Sequence, residues 1–212
     1  GETSFLPYGR EGQHINSVSR SALNIALMNE AEASGVKIQF KTAVEGLGED
    51  PGVLMLESSS SIKSSLIIGS DGAVSVIRKS LIQRKRVFAT EDLLEHGYKE
   101  LTIPPGTKGF QLEKNALHIW PRQSFMLIAL PNPDGSFTCT LFLAMKGSTS
   151  FEALQDTGKV IQFFENTFPD ARKLIPDLEQ QWTQNPVSVL GTIKCRPWSG
   201  EKVLLIGDAA HA

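Results

Sequence analysis

Asp208 stands where a strand could deliver a carboxylate to a ligand. The apolar run Val203-Leu204-Leu205-Ile206 reads as a fully buried strand. Gly207-Asp208-Ala209-Ala210-His211-Ala212 follows it. A glycine lets the backbone pass close to a ligand, and an ionised carboxylate accepts hydrogen bonds from hydroxyls such as those of a bound sugar. A second place in the chain is built alike: Leu66-Ile67-Ile68 runs into Gly69-Ser70-Asp71-Gly72. Taken alone, Asp71-Gly72 reads equally well as a plain turn between strand and helix.

Other groups with chemical potential read more plainly. Gly46-Leu47-Gly48 has the first spacing of a dinucleotide fingerprint, but Glu49-Asp50-Pro51 follows. Two carboxylates repel a pyrophosphate and the proline breaks the motif, so the segment reads as a turn. The basic run Arg78, Lys79, Arg84, Lys85 and Arg86 reads as a solvated helix end. His118, before Ile119-Trp120, reads as a packed strand residue. His14, His96 and His211 lack metal-ligand spacing, and no metal site is expected. Cys139 and Cys195 read as two structural thiols in a reducing compartment. No Ser/His/Asp or Cys/His arrangement assembles. No protein side chain is therefore assigned as catalytic, and the chemistry points to an organic cofactor.

The elements that must position these groups follow from periodicity. Ser19 caps a helix over 20–34, with Leu23, Ala26, Leu27 and Ala31 on one face and Gly35 as its stop. Strands are expected at 36–40, 53–57 and 66–68, with a serine-rich turn at 58–61. A short helix then presents Val74, Ile77 and Leu81 on one face. Residues 98–143 are rich in strands, at 100–103, 117–120, 125–130 and 137–143, separated by Pro104-Pro105-Gly106 and Asn132-Pro133-Asp134-Gly135. Helices at 160–168 and 170–182 and a strand at 187–195 lead back to the terminal strand. The order reads as one α/β domain with a second, sheet-rich domain inserted, whose sheet would cover the ligand crevice.

The 212 residues are 41% hydrophobic and 21% charged, with a net charge of -2. These values suit a globular protein and give no pull toward nucleic acid or anionic lipid. Gly1 has no methionine before it and no leader pattern after it, and the chain ends where a helix should begin. An internal piece of a longer protein is expected.

The segment from Ser65 through Gly69-Ser70-Asp71-Gly72 to Arg78 resembles the Asp-Gly motif of the FAD-dependent aromatic hydroxylases. Lys202 to Ala212 resembles their Gly-Asp motif. Further segments are similar to the kynurenine-hydroxylating members of that family: Pro7-Tyr8-Gly9, Ser17-Val18-Ser19-Arg20, His96 to Pro105, Leu117 to Arg122, Ile128 to Asn132 and Ser136 to Phe142. The resemblance covers nearly the whole chain and fits poorly near 58–65 and 145–154.

The resemblance implies an α/β fold: a partial, Rossmann-like FAD-binding domain over 1–82 and 197–212, and an inserted β-sheet-rich substrate domain over 83–196. It implies hydroxylation of L-kynurenine to 3-hydroxy-L-kynurenine, with bound FAD and with NADPH and O2 as co-substrates. The open alternatives are a related hydroxylase of another aromatic substrate and a non-catalytic scaffold. By the same resemblance Arg20, Val44 and Asp208 contact FAD. Asp71 and Arg78 organise the loop beneath the cofactor and the approach of NADPH. Tyr8 binds the substrate carboxylate, and Leu117, Ile128, Leu130 and Phe142 line the substrate pocket. The family's Gly-rich pyrophosphate loop and the arginine for the substrate carboxylate are expected upstream of Gly1. A membrane anchor is expected only in regions beyond this chain, and the fragment alone is expected to be inactive. The implied location is the mitochondrial outer membrane for a eukaryotic source, with the cytoplasm as the alternative.

Overall fold

The computed structural model describes residues 3–10 and 12–212. It is an α/β structure with three sheets. The chain divides into two compact units, residues 1–36 with 97–188 and residues 37–96 with 189–212. No helix among the described residues is long and apolar enough to cross a membrane.

The first unit holds α1 (Arg20–Ala33), β6 (His118–Arg122), β7 (Phe125–Pro131), β8 (Phe137–Ala144), α3 (Thr157–Thr167), α4 (Pro169–Leu174) and α5 (Leu178–Gln184). It also takes residues 97–103 of the long strand β5 (Phe88–Ile103) and the first residues of β9 (Val187–Arg196). The sheet order is β6-β7-β8-β5-β9. In β8 the burial alternates strictly, as a sheet with one covered face requires. Leu127, Phe137, Leu141 and Leu143 pack with Phe164, Phe168 and Leu178 of the helical layer. Each of these side chains is fully buried, which stabilises the fold by roughly 1.5–3 kcal/mol apiece.

The second unit carries a hairpin sheet, β1 (Val44–Leu47), β2 (Val53–Leu56) and β3 (Ser61–Lys63), all antiparallel. Its second sheet has the order β10-β11-β4, from β10 (Ser199–Gly200), β11 (Val203–Leu205) and β4 (Ile67–Gly69). β11 and β4 run parallel, with Leu205 opposite Gly69. Helix α2 (Val76–Gln83) packs closely on this pair. A Cβ on Gly69 would come within 3.0 Å of both Ile77 and Leu205, so only a glycine permits that approach.

Several expectations are corrected. Residues 36–40 form no strand. An extended segment needs a neighbour's ladder to be stable, and among the described residues none pairs with it. Helix α1 forms, and its Ser19 side chain accepts from the Ala22 amide at 3.3 Å, but it buries no residue: Leu23 and Leu27 are exposed. The helix expected over 170–182 is two, α4 and α5. Pro176 lacks an amide hydrogen and drives Ile175 out of the helical region, to φ -116 and ψ 80. Val74 lies before α2 and is exposed rather than on its packed face. The strands β4 and β11 are buried on one face only, because Ile68 and Leu204 point to the uncovered side.

Candidate functional site

In the second unit the two Asp-containing loops meet at one arginine. Asp71 follows β4 and turns its carboxylate onto the start of α2. Its Oδ2 accepts from the amides of Val76 at 2.8 Å and Ile77 at 3.2 Å, and its Oδ1 accepts from the Ser75 hydroxyl at 2.7 Å. Ser75 in turn accepts from the Arg78 amide at 2.8 Å. A carboxylate on unsatisfied N-terminal amides is favoured by hydrogen bonding and by the helix dipole. Asp71 is thereby committed to the protein.

Arg78 is fully buried, against the expectation of a solvated helix end. Its Nη1 donates to the carbonyl oxygens of Ala209 at 2.9 Å and Asp208 at 3.4 Å. Its Nη2 donates to the carbonyl oxygen of Ala73 at 2.5 Å and to Glu91 Oε1 at 2.6 Å. Its Nε has no partner among the described residues. The fork of the guanidinium suits this many acceptors, which a lysine could not serve. Of the rest of the basic run, Arg84 and Arg86 both pair with Glu201, and Arg84 also donates to the Gly48 and Glu49 carbonyls. Against the plain turn expected, Gly46 and Leu47 lie in β1, paired with Met55 and Leu54, and the turn begins only at Gly48.

Asp208 sits in the single turn Gly207–Ala209 that leaves β11. Its side chain is exposed, and its carboxylate meets no partner among the described residues. Gly207 before it has φ +57, Gly72 in the other loop has φ +77, and at both positions the space a Cβ would occupy is open. Two glycines with open space where a Cβ would stand, and an uncommitted carboxylate next to one of them, fit close approach by a polyhydroxyl chain. Val44 opens β1 opposite Leu56 and packs, half-buried, against the unit's core.

In the first unit, register brings the expected pocket residues together. Ile128 pairs with Thr140 and Ile119, Leu130 with Thr138, and Met126 with Phe142. Period-two alternation therefore puts Ile128, Leu130 and Phe142 on one face of the sheet, opposite the helical layer, with Leu117 at the end of the adjoining strand. Leu117 is exposed and the other three half-buried. This face thus carries apolar side chains that keep part of their surface exposed. His118 turns the other way, its ring edge-on to Phe137 at 5.7 Å, as a packed strand residue should.

Arg20 is exposed at the start of α1, 4.0 Å from Glu100. It helps line a cavity of about 400 Å³ with Tyr98, Glu100, Thr102, Thr138 and Asn185. The Tyr98 ring lies 6.1 Å from that of Phe142, so the cavity adjoins the apolar wall. Tyr8 is exposed, and its hydroxyl meets no partner among the described residues. Sequence reading missed Glu91 and Glu100. Each is a common surface residue type, and nothing local marks either as the partner of a distant arginine.

Comparison with known proteins bears on both units. The family described as FAD binding domain matches residues 8–212. The kynurenine 3-monooxygenase of Myxococcus xanthus (strain DK1622) is 47% identical over 221 residues, covering 100% of this chain and 48% of its own length. That of Dictyostelium discoideum is 48% identical over 214 residues, covering 99% and 46%. This chain thus spans about half the length of the curated relatives it matches. Among solved structures, tetrameric 2-methyl-3-hydroxypyridine-5-carboxylic acid oxygenase covers 91% of the chain and 50% of its own, at a TM-score of 0.71 and 23% identity. Klebsiella pneumoniae HpxO, complexed with FAD and uric acid, covers 92% and 48% at a TM-score of 0.67 and 17% identity. Those two likenesses establish the fold.

Proposed function

Because this chain belongs to the FAD binding domain family, we propose that the whole protein is a flavin-dependent monooxygenase that hydroxylates L-kynurenine to 3-hydroxy-L-kynurenine with NADPH and O2. The observation that carries the reading is the match, along the full chain, to relatives all named for that reaction. Residues 1–82 and 197–212 serve the cofactor in this reading, and 83–196 serve the substrate.

FAD, when bound, supplies the redox chemistry that activates O2. The residues of this chain bind and orient. The Asp208 carboxylate accepts hydrogen bonds from the ribityl hydroxyls, for which its exposed and unpartnered state suits it. Arg20 donates to the cofactor through its guanidinium, and Val44 contacts it through the backbone. Leu117, Ile128, Leu130 and Phe142 offer an apolar wall against which an aromatic ring loses little and excludes water. Tyr8 donates its hydroxyl to the substrate carboxylate. The substrate's own ring amine activates the neighbouring carbon, so no strong protein base is required.

The experiment is NADPH oxidation by the full-length protein, reconstituted with FAD, across a panel of aromatic compounds. Stimulation by L-kynurenine above other anthraniloyl and phenolic compounds supports the reading. Selective stimulation by a different aromatic assigns the protein to a related hydroxylase, and no stimulation by any leaves a scaffold.

A further inference from the structure

We infer that Glu91 is a positioning residue for Asp208, acting through Arg78. The inference rests on the reading that Asp208 receives FAD hydroxyls. A fully buried arginine is rare unless it is paired. Arg78 is held by three backbone carbonyls and one carboxylate, and Glu91 supplies that carboxylate at 2.6 Å. No other carboxylate among the described residues forms an ion pair with it.

The placement of the four acceptors gives the pair its role. Ala73 belongs to the Asp71-Gly72 loop, whereas Asp208 and Ala209 form the Gly-Asp loop. One side chain thus ties the two loops to each other. The Asp208 carboxylate has no side-chain anchor of its own, so its aim depends on where its backbone is held. That backbone is held by the Arg78 bonds to the carbonyls at 208 and 209 and by the helical turn around Gly207. Arg78 stays buried because Glu91 offsets its charge. Glu91 is itself half exposed, so the fold does not depend on it for core packing.

Neutralising Glu91 leaves the fully buried guanidinium without its counter-charge. The side chain is then drawn outward, its bonds to the Asp208 loop loosen, and the carboxylate loses its fixed direction. The consequence is weaker cofactor binding without loss of any group that touches the cofactor.

The test is a double-mutant cycle on the full-length apoprotein, titrated with FAD by flavin fluorescence. Wild type, Glu91→Gln, Asp208→Asn and the double variant are compared, with melting of each apoprotein alongside. Glu91→Gln should weaken FAD binding about fivefold or more. In the double variant the glutamine should add less than about twofold to the effect of Asp208→Asn. Glu91→Asp, which keeps the charge, should recover part of the affinity; should Glu91→Gln fail to fold, the cycle is read with Glu91→Asp. If Asp208→Asn weakens binding but Glu91→Gln does not, or if the two effects multiply, Glu91 has no positioning role. If Asp208→Asn leaves FAD affinity unchanged, the assignment of Asp208 fails and takes this inference with it.

Discussion

Replacing Arg78 by methionine should cost the second unit much of its stability. Arg78 is fully buried, so the change acts without dilution by solvent. Four hydrogen bonds disappear, to the carbonyls of Ala73, Asp208 and Ala209 and to Glu91. Leaving a buried acceptor unpaired costs about 1–3 kcal/mol, and the 3.4 Å contact to Asp208 counts least. Glu91 is half exposed and regains water, so its share is small. The methionine fills similar space and returns about 1–2 kcal/mol of apolar burial. The two well-formed carbonyl bonds, less what the methionine returns, leave a net expected loss of about 2–4 kcal/mol. Urea unfolding of the variant and the parent, followed by circular dichroism, measures it. A loss below about 1 kcal/mol would refute the claim that Arg78 holds the two loops together.

Other outcomes follow from the same geometry. Asp208→Ala in the full-length protein should weaken FAD binding about ten- to a hundredfold, since a hydrogen bond to a charged group contributes roughly 1.5–3 kcal/mol; unchanged affinity in a flavin titration removes its role. Tyr8→Phe should raise the KM for L-kynurenine by about tenfold while FAD affinity holds; equal weakening of an analogue lacking the carboxylate would make Tyr8 a packing residue. Burial pushes the Cys139 thiol up to about 12, so in the native protein it should resist a thiol reagent at neutral pH until unfolding exposes it; rapid native labelling of Cys139, mapped by mass spectrometry, would contradict this. At Asp170, burial raises the carboxyl, but the Trp120 indole, the amides of Asp170 and Ala171 and the Arg122 guanidinium together hold it below its ordinary 3.8. Its contribution to stability is present above that value and lost as the pH falls through the folded one. Trp120→Phe should make melting less sensitive to acid, and an unchanged acid dependence would count against the pairing.

Much of the second unit was legible because its signals are local. A short apolar run and a Gly-Asp or Asp-Gly turn each declare themselves within a few residues, and β4, β11 and α2 all form there. The strand β1 before Gly48 was not read, because its glycines resemble a turn until β2 pairs with it. In the first unit the break between α4 and α5 was missed, although Pro176 marks it and its effect on Ile175 is steric. What could not be read depends on partners far along the chain. The run at 36–40 alternates like a strand but finds no ladder. The apolar stripe of α1 finds no covering surface among the described residues. Arg78 looks like one more member of a basic run until the fold brings Ala209 to it from 131 positions away.

The substrate wall shows the same division. Alternation along each strand is a sequence property, but Ile128, Leu130 and Phe142 were named from the resemblance, and it is the pairing of the strands that puts them on one face. Which face the helices cover is a tertiary outcome. The strand pattern alone does not distinguish a wall open to a ligand from a second layer of core. Glu100, 4.0 Å from Arg20 beside that wall, is likewise invisible before the sheet is assembled.

The central claim is tested most directly by mass spectrometry of the product formed under isotopically labelled O2. Full-length protein, loaded with FAD and supplied with NADPH and L-kynurenine, should yield 3-hydroxy-L-kynurenine carrying one labelled oxygen atom from O2. Unaltered kynurenine, or a hydroxylated product whose oxygen comes from water, would contradict the account.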